Sequence, residues 1–165
     1  MHAPDGFDEF VQTRSRTLLR TAWLLTGEWA SAEDLVQTAL AATWPRWDSI
    51  HSDARAAYVR RAILTTYLRG RERRWTGEIA HAELPEVMGD DAFAQTDARE
   101  TLRRALHELP PRQRAVIALR YFEDLSEQDT ARALGCSVGA VKSHAAKAIA
   151  RLRVTPLLQG EGVRE

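Results

Sequence analysis

A chain of 165 residues and 18.6 kDa has room for one ordinary domain or two small ones, which excludes a large multidomain enzyme. Hydrophobic residues make up 44% and charged residues 28%, with 9 Gly and 6 Pro, so the composition excludes collagen, coiled-coil rods and disordered chains. The formal net charge is zero, from 23 Lys+Arg against 23 Asp+Glu, and at first sight this argues against a nucleic-acid partner.

The distribution of charge says otherwise. From Ala54 to Arg74 there are seven arginines and one acid, Glu72, a balance of +6. From Ala131 to Pro156, Arg132, Lys142, Lys147, Arg151 and Arg153 face no acid at all, a balance of +5. Between these runs, residues 76–95 hold Glu78, Glu83, Glu86, Asp90 and Asp91 without a Lys or Arg, and also Gly77, Pro85 and Gly89, the composition of a linker. Charges more than roughly 8–10 Å apart are screened at physiological salt, so an acidic linker cancels the total and leaves both patches standing. The competing reading makes each basic run a solvated helix face.

Cys136 is the single cysteine, which suits a reducing compartment and gives no disulfide or cysteine-rich metal site. Met1 to Phe10 has no signal-peptide pattern, and the longest apolar patch, Ala22 to Leu25, is far short of the roughly 20 residues of a membrane span. A cytoplasmic location is expected.

In chain order, Phe7, Phe10, Val11, Leu18, Trp23 and Leu25 predict a first helix over Phe7 to Leu25, ending at Thr26-Gly27. Ser31 with Asp34 resembles a capping box and predicts a second helix over Ala32 to Trp44, stopped by Pro45. A third helix is expected over Ala54 to Arg73. All five tryptophans precede the acidic linker. Trp23 and Trp44 fit the apolar pattern as packing residues. Trp47, in the loop after Pro45 and beside a basic helix, is a candidate for stacking on an unpaired base.

Beyond the linker, Leu102, Ala105, Leu106 and Leu109 form the stripe of a helix over Thr96 to Leu109, stopped by Pro110-Pro111. A further helix over Arg112 to Tyr121 carries Val116, Ile117, Leu119 and Tyr121. Leu125 to His144 then reads as helix, Gly-centred turn, helix, with Ser126 and Ser137 as N-caps and Ala131, Leu134, Val138 and Val141 as the contacts between the two helices. This is a helix-turn-helix pattern, whose second helix enters the major groove; a purely structural hairpin is the alternative. Cys136 in the turn reads as a small buried residue. No segment reads as a strand, and residues 159–165 read as a polar tail.

The stretches Ala32 to Gln37, Ala57 to Ala62, Leu109 to Arg114 and Leu134 to Ser143, in that order, resemble the extracytoplasmic-function (ECF, group 4) sigma factors of the sigma-70 family, in their SigE-like subgroup. The resemblance implies an all-α fold of two small helical domains in a cytoplasmic bacterial protein: region 2 at 7–75, a linker at 76–95, and a region 4 helix-turn-helix at 96–157. It implies core RNA polymerase as partner, through its beta-prime clamp helices and beta flap, with Glu33, Asp34, Gln37 and Trp44 at the contact. Binding of the −10 promoter element falls to Trp47, Ser49, Ile50, Asp53, Tyr58, Arg60, Arg61, Arg69, Arg71 and Arg73. Binding of the −35 element falls to Ser137, Ala140, Lys142, Ser143, His144, Lys147 and Arg151. An anti-sigma factor is a further implied partner. Thr38 stands where the family often has an acid, and His144-Ala145-Ala146-Lys147 replaces a bulkier, more arginine-rich pattern.

No cofactor or metal is expected. The five histidines are scattered, and no phosphate loop or catalytic triad spacing stands out, so an enzyme is the weaker class. The alternative function is a stand-alone helix-turn-helix regulator that dimerises on operator DNA.

Overall fold

The computed structural model describes residues 2–75 and 97–154, the side chains of 72–75 apart. Seven α-helices follow in these residues: α1 (Phe7–Thr26), α2 (Trp29–Thr43), α3 (Arg55–Trp75), α4 (Asp97–His107), α5 (Pro111–Ile117), α6 (Glu127–Leu134) and α7 (Val138–Val154). A 3₁₀ turn, Trp44–Ser49, leads from α2 towards α3, and a π turn, Ala118–Phe122, extends α5. No strand occurs among the described residues. The acidic stretch 76–95 and the polar tail lie outside them.

Helix α1 ends one residue later than its pattern predicts, at Gly27, whose φ of +76° closes the helix through its N–H to the Trp23 carbonyl at 2.7 Å. Helix α2 corrects the expected capping box. It starts at Trp29 with Glu28 as N-cap, and Ser31 Oγ donates to the Glu28 carboxylate at 3.0 Å instead of capping a backbone amide. The stacking of Trp29 on Trp23, with centroids 5.6 Å apart, accompanies this early start. Both later caps form as expected: Ser126 Oγ accepts from the Asp129 N–H at 3.0 Å, and Ser137 Oγ from the Ala140 N–H at 3.0 Å.

The π turn changes the expected register after α5. Its i→i+5 bond, from the Glu123 N–H to the Ala118 carbonyl, takes up one extra residue and turns Tyr121 outward to 56% exposure, away from the apolar face on which its spacing placed it.

Helices α1, α2 and α3 pack on one another, and α7 packs on both α5 and α6. The two groups also pack together, α3 against α5 and α6, and α1 against α4, α5 and the π turn. One continuous apolar core runs through both, from Leu25, Ile63 and Leu64 to Leu109, Leu119 and Val141. Whether the two halves touch is invisible in the sequence pattern; here they share a core.

Candidate polymerase and DNA interfaces

Helix α2 buries Ala32, Leu35, Val36 and Ala39 against α1 and α3. The same 3.6-residue period turns Glu33, Asp34 and Gln37 to solvent together, since positions three and four apart share a face. Thr38 is exposed beside them. Trp44 is half-buried, its ring edge-on to Phe7 at 4.7 Å, so it offers only part of its surface.

Trp47 is placed otherwise than its loop position predicts. It is 0% exposed, with Phe7 and Phe10 edge-on at 4.9 and 5.0 Å, its indole N–H donating to the Asp5 carbonyl at 2.9 Å, and the Arg55 guanidinium 4.5 Å from its ring centroid. Every face is occupied, which removes Trp47 as a surface for base stacking in this form. Ile50 is buried as well and presents no side chain to DNA. Both corrections have one cause. The 3₁₀ turn folds this stretch back under the start of α1, where the indole N–H finds a carbonyl that no pattern in the neighbouring sequence announces.

The other −10 candidates spread along α3 and its approach. Ser49 and Asp53 are exposed, the Ser49 hydroxyl donating to the Arg46 carbonyl at 2.6 Å. Tyr58, Arg61 and Arg69 are exposed; Arg60 and Arg71 are half-buried, Arg71 over the Tyr67 ring at 5.9 Å. The Arg73 side chain lies outside the described residues.

In the helix-turn-helix, Ala131, Leu134 and Val141 are buried, and Val138 packs on them. Gly135, at φ +64°, makes the left-handed turn between α6 and α7. Cys136 is a half-buried thiol in that turn. Lys142, Ser143, Lys147 and Arg151 face outward from α7, and Ala140 is half-buried at its start. Ser137 uses its oxygen as N-cap acceptor and keeps its O–H as a donor. His144 is half-buried, with Nδ1 shielded and without a hydrogen-bond partner among the described residues. Burial, and then the charges of Arg112 and Lys147, hold its pKa below the ordinary histidine value, which favours the neutral ring.

Known proteins share this arrangement. The family profile described as "Sigma-70, region 4" matches residues 99–152, the stretch that holds the helix-turn-helix. The RNA polymerase sigma-E factor of Streptomyces coelicolor is 43% identical over 148 residues, covering 89% of this chain and 84% of its own. This chain belongs to the ECF sigma factors of the sigma-70 family. The ECF RNA polymerase sigma factor SigL of Mycobacterium tuberculosis is 34% identical over 152 residues, covering 88% of this chain and 85% of its own. Two solved structures share the fold: the sigma factor RpoE from Bartonella quintana, in complex with the anti-sigma factor NepR, and CnrH, in complex with the cytosolic domain of CnrY. The first has a TM-score of 0.72 at 24% identity over 96% of this chain and 99% of that one. The second has a TM-score of 0.66 at 23% identity over 94% and 89%. ECF sigma factors are transcription initiation factors that direct RNA polymerase to promoters, and this sets aside the stand-alone operator-binding regulator. No helix among the described residues of this sigma factor is long and apolar enough to cross a membrane.

One residue to which the sequence pattern assigns no role is central to the packing. Arg114 is only 4% exposed and donates five hydrogen bonds: to the carbonyls of Leu106, Leu25, His107 and Leu109 at 2.7, 2.9, 2.9 and 3.1 Å, and to the Tyr67 hydroxyl at 3.0 Å. The available signal was its place on α5, three and four residues before buried Ile117 and Ala118, on the face that packs inward.

Proposed function

We propose that this ECF sigma factor docks on the clamp helices of core polymerase through Glu33, Asp34 and Gln37 of α2, with the exposed part of Trp44 at the edge of the contact. Residues 7–75 act as region 2 and 96–157 as region 4, the latter also meeting the beta flap. Helix α7 reads the −35 element, with Lys142, Ser143 and Lys147 directed at the groove and Arg151 and the Ser137 O–H at phosphates. The basic side chains of α3, with Tyr58, hold the opened strand of the −10 element. Unstacking costs a few kcal/mol per base, which contacts to the extruded strand offset, so opening needs no catalytic step of the sigma factor's own. Because two neighbours in fold were solved with anti-sigma factors, an anti-sigma factor that covers these same surfaces is the expected regulator.

The observation that carries this reading is the separation of two exposed surfaces of different chemistry: an acidic and amide-bearing face on α2, and an acid-free basic face on α7 behind a formed N-cap. Run-off transcription with core polymerase, with and without the protein, on a pool of promoter fragments is the test. Protein-dependent transcripts with fixed starts are expected, and they should disappear when Asp34 and Gln37 are both changed to Ala in a chain that keeps its helical circular dichroism. Silence together with failure to bind core polymerase overturns the proposal, as does full activity of that double variant.

A further inference from the structure

Helix α1 carries a third basic stretch, free of acid and outside both promoter readers. From Phe10 to Thr26 it holds Arg14, Arg16 and Arg20 and no Asp or Glu, and all three side chains are exposed. The helical period sets them on different sides. At about 100° per residue, Arg16 stands roughly 160° around the helix from Arg14. Arg14 shares its side with Leu18 and Thr21, and this side lines a narrow crevice against Ala56, Arg60 and Ile63 of α3.

Two guanidiniums from different helices thus meet at one crevice. Leu18 and Ile63 are its buried apolar lining, whereas Arg14 is exposed and Arg60 half-buried. Neither arginine has an ion pair or hydrogen bond among the described residues. Glu123, which lines the crevice from the π turn, accepts the Thr21 hydroxyl instead. Two guanidiniums against one carboxylate leave one positive charge in excess, and a monoanion with several acceptor oxygens answers it. A backbone phosphodiester is such a group, and the planar guanidinium fork matches its oxygens. The surroundings favour a nucleic-acid strand as its source, because α3 continues past Arg60 with exposed Arg61 and Arg69, beside exposed Tyr58.

We propose that Arg14 of α1 and Arg60 of α3 clamp one backbone phosphate of the opened −10 strand, so that the strand-holding surface spans two helices and not α3 alone. This inference rests on the assignment of α3 to the −10 strand. A phosphate clamp reads no base; it fixes the register of the strand and leaves selection to side chains that reach base edges.

The test uses holoenzyme assembled from core polymerase and the full chain, with a fluorescent single-stranded oligonucleotide carrying the non-template −10 region of a promoter found by run-off transcription. Arg14→Gln should weaken strand binding about tenfold and lower the steepness of its salt dependence by about 0.7, the share of one phosphate contact on a single strand. Arg14→Lys, which keeps the charge, should keep that steepness. Arg16→Gln removes the same charge from the other side of α1 and should change affinity less than about twofold. A methylphosphonate at one linkage should reproduce the loss in the parent and add nothing in Arg14→Gln. The double variant Arg14→Gln with Arg60→Gln should lose less than the two single losses combined, because both side chains hold one group. Equal losses from Arg14→Gln and Arg16→Gln reduce the effect to overall charge and overturn the clamp, as does a methylphosphonate loss that adds in full to that of Arg14→Gln at every linkage. If Arg60→Gln and Arg61→Gln both leave strand binding unchanged, the assignment of α3 fails and takes the clamp with it. If they weaken binding and Arg14→Gln does not, the clamp alone fails.

Discussion

The Arg114 guanidinium donates to the Tyr67 hydroxyl at 3.0 Å, joining two residues 47 positions apart on α5 and α3. Burial pushes the Tyr67 phenol above its usual pKa, against the lowering effects of Arg114 and Arg71, so the phenol stays neutral and accepts the bond. Burial lowers Arg114 as well, yet a guanidinium starts high enough to remain charged.

Arg114→Ala removes five donated bonds and leaves the carbonyls of Leu25 and Leu109 without these donors, whereas Leu106 O keeps the Leu109 N–H. Each buried group left without a partner costs about 1–3 kcal/mol, so a loss of at least ~2 kcal/mol is expected. Arg114→Lys keeps the charge without the planar fork and should lose less. Urea unfolding at neutral pH measures both, and an Ala variant as stable as the parent contradicts the structural role given to Arg114.

Trp47→Ala should cost about 3–5 kcal/mol through the cavity left among Phe7, Phe10 and Arg55. Trp47→Phe keeps most of the packing and loses the bond to the Asp5 carbonyl, about 1 kcal/mol. Thermal unfolding reads the order of the three proteins. A fully stable Trp47→Ala chain that fails only in promoter opening would return Trp47 to the DNA surface.

Ser137→Ala should cost about 1 kcal/mol by removing the cap on the Ala140 N–H, while Ser137→Gly should cost only a few tenths. Chemical denaturation of the two variants separates capping from DNA contact. If Ala and Gly are equally harmless to stability and both weaken −35 binding, the hydroxyl acts on DNA and not on the helix.

His107 gives the fold an acid-sensitive point. It is exposed, but its ring packs against the α1 terminus, a Cβ at Gly27 falling 3.5 Å from its Cε1. Desolvation, then the charges of Arg114, Arg71 and Arg103, lower its pKa from 6.5 to about 4, with Glu28 opposing. The folded state thus binds the proton less readily than the unfolded chain. The associated stability is complete above pH 6.5 and is lost as pH falls through about 4. Solvent screening keeps it small. Glu100, held at about 2 first by its hydrogen bond from Arg103, acts in the lower window between 4.5 and 2. His107→Gln should flatten the urea midpoint between pH 6.5 and 4 while leaving the steeper fall below that; an unchanged slope would remove His107 as its source.

Much of the architecture was readable from local pattern. Helix α1 needs only its own apolar spacing and Gly27; α6 and α7 need Ser126, Gly135 and Ser137, each acting within four residues of itself. The outward face of α2 follows equally from period alone, and Glu33, Asp34 and Gln37 stand where it puts them. The start of α2 was misread because Trp29 stacks on Trp23 across the turn, a contact between side chains that outweighs the weak box at Ser31. Tyr121 was misread because a π turn breaks the period by one residue.

The sequence by itself determined the helical class, the helix-turn-helix and the placing of its basic charge, because caps, turns and amphipathic period act over one or two turns of chain. Tertiary structure alone decided that Trp47 is core, that Arg114 is the polar centre of the molecule, and that the two halves close on each other. Trp47 depends on a carbonyl 42 residues away, Arg114 on one 89 residues away, and Thr21 on a carboxylate 102 residues away. Whether a side chain is desolvated depends on what arrives from such distances, and no local pattern carries that information.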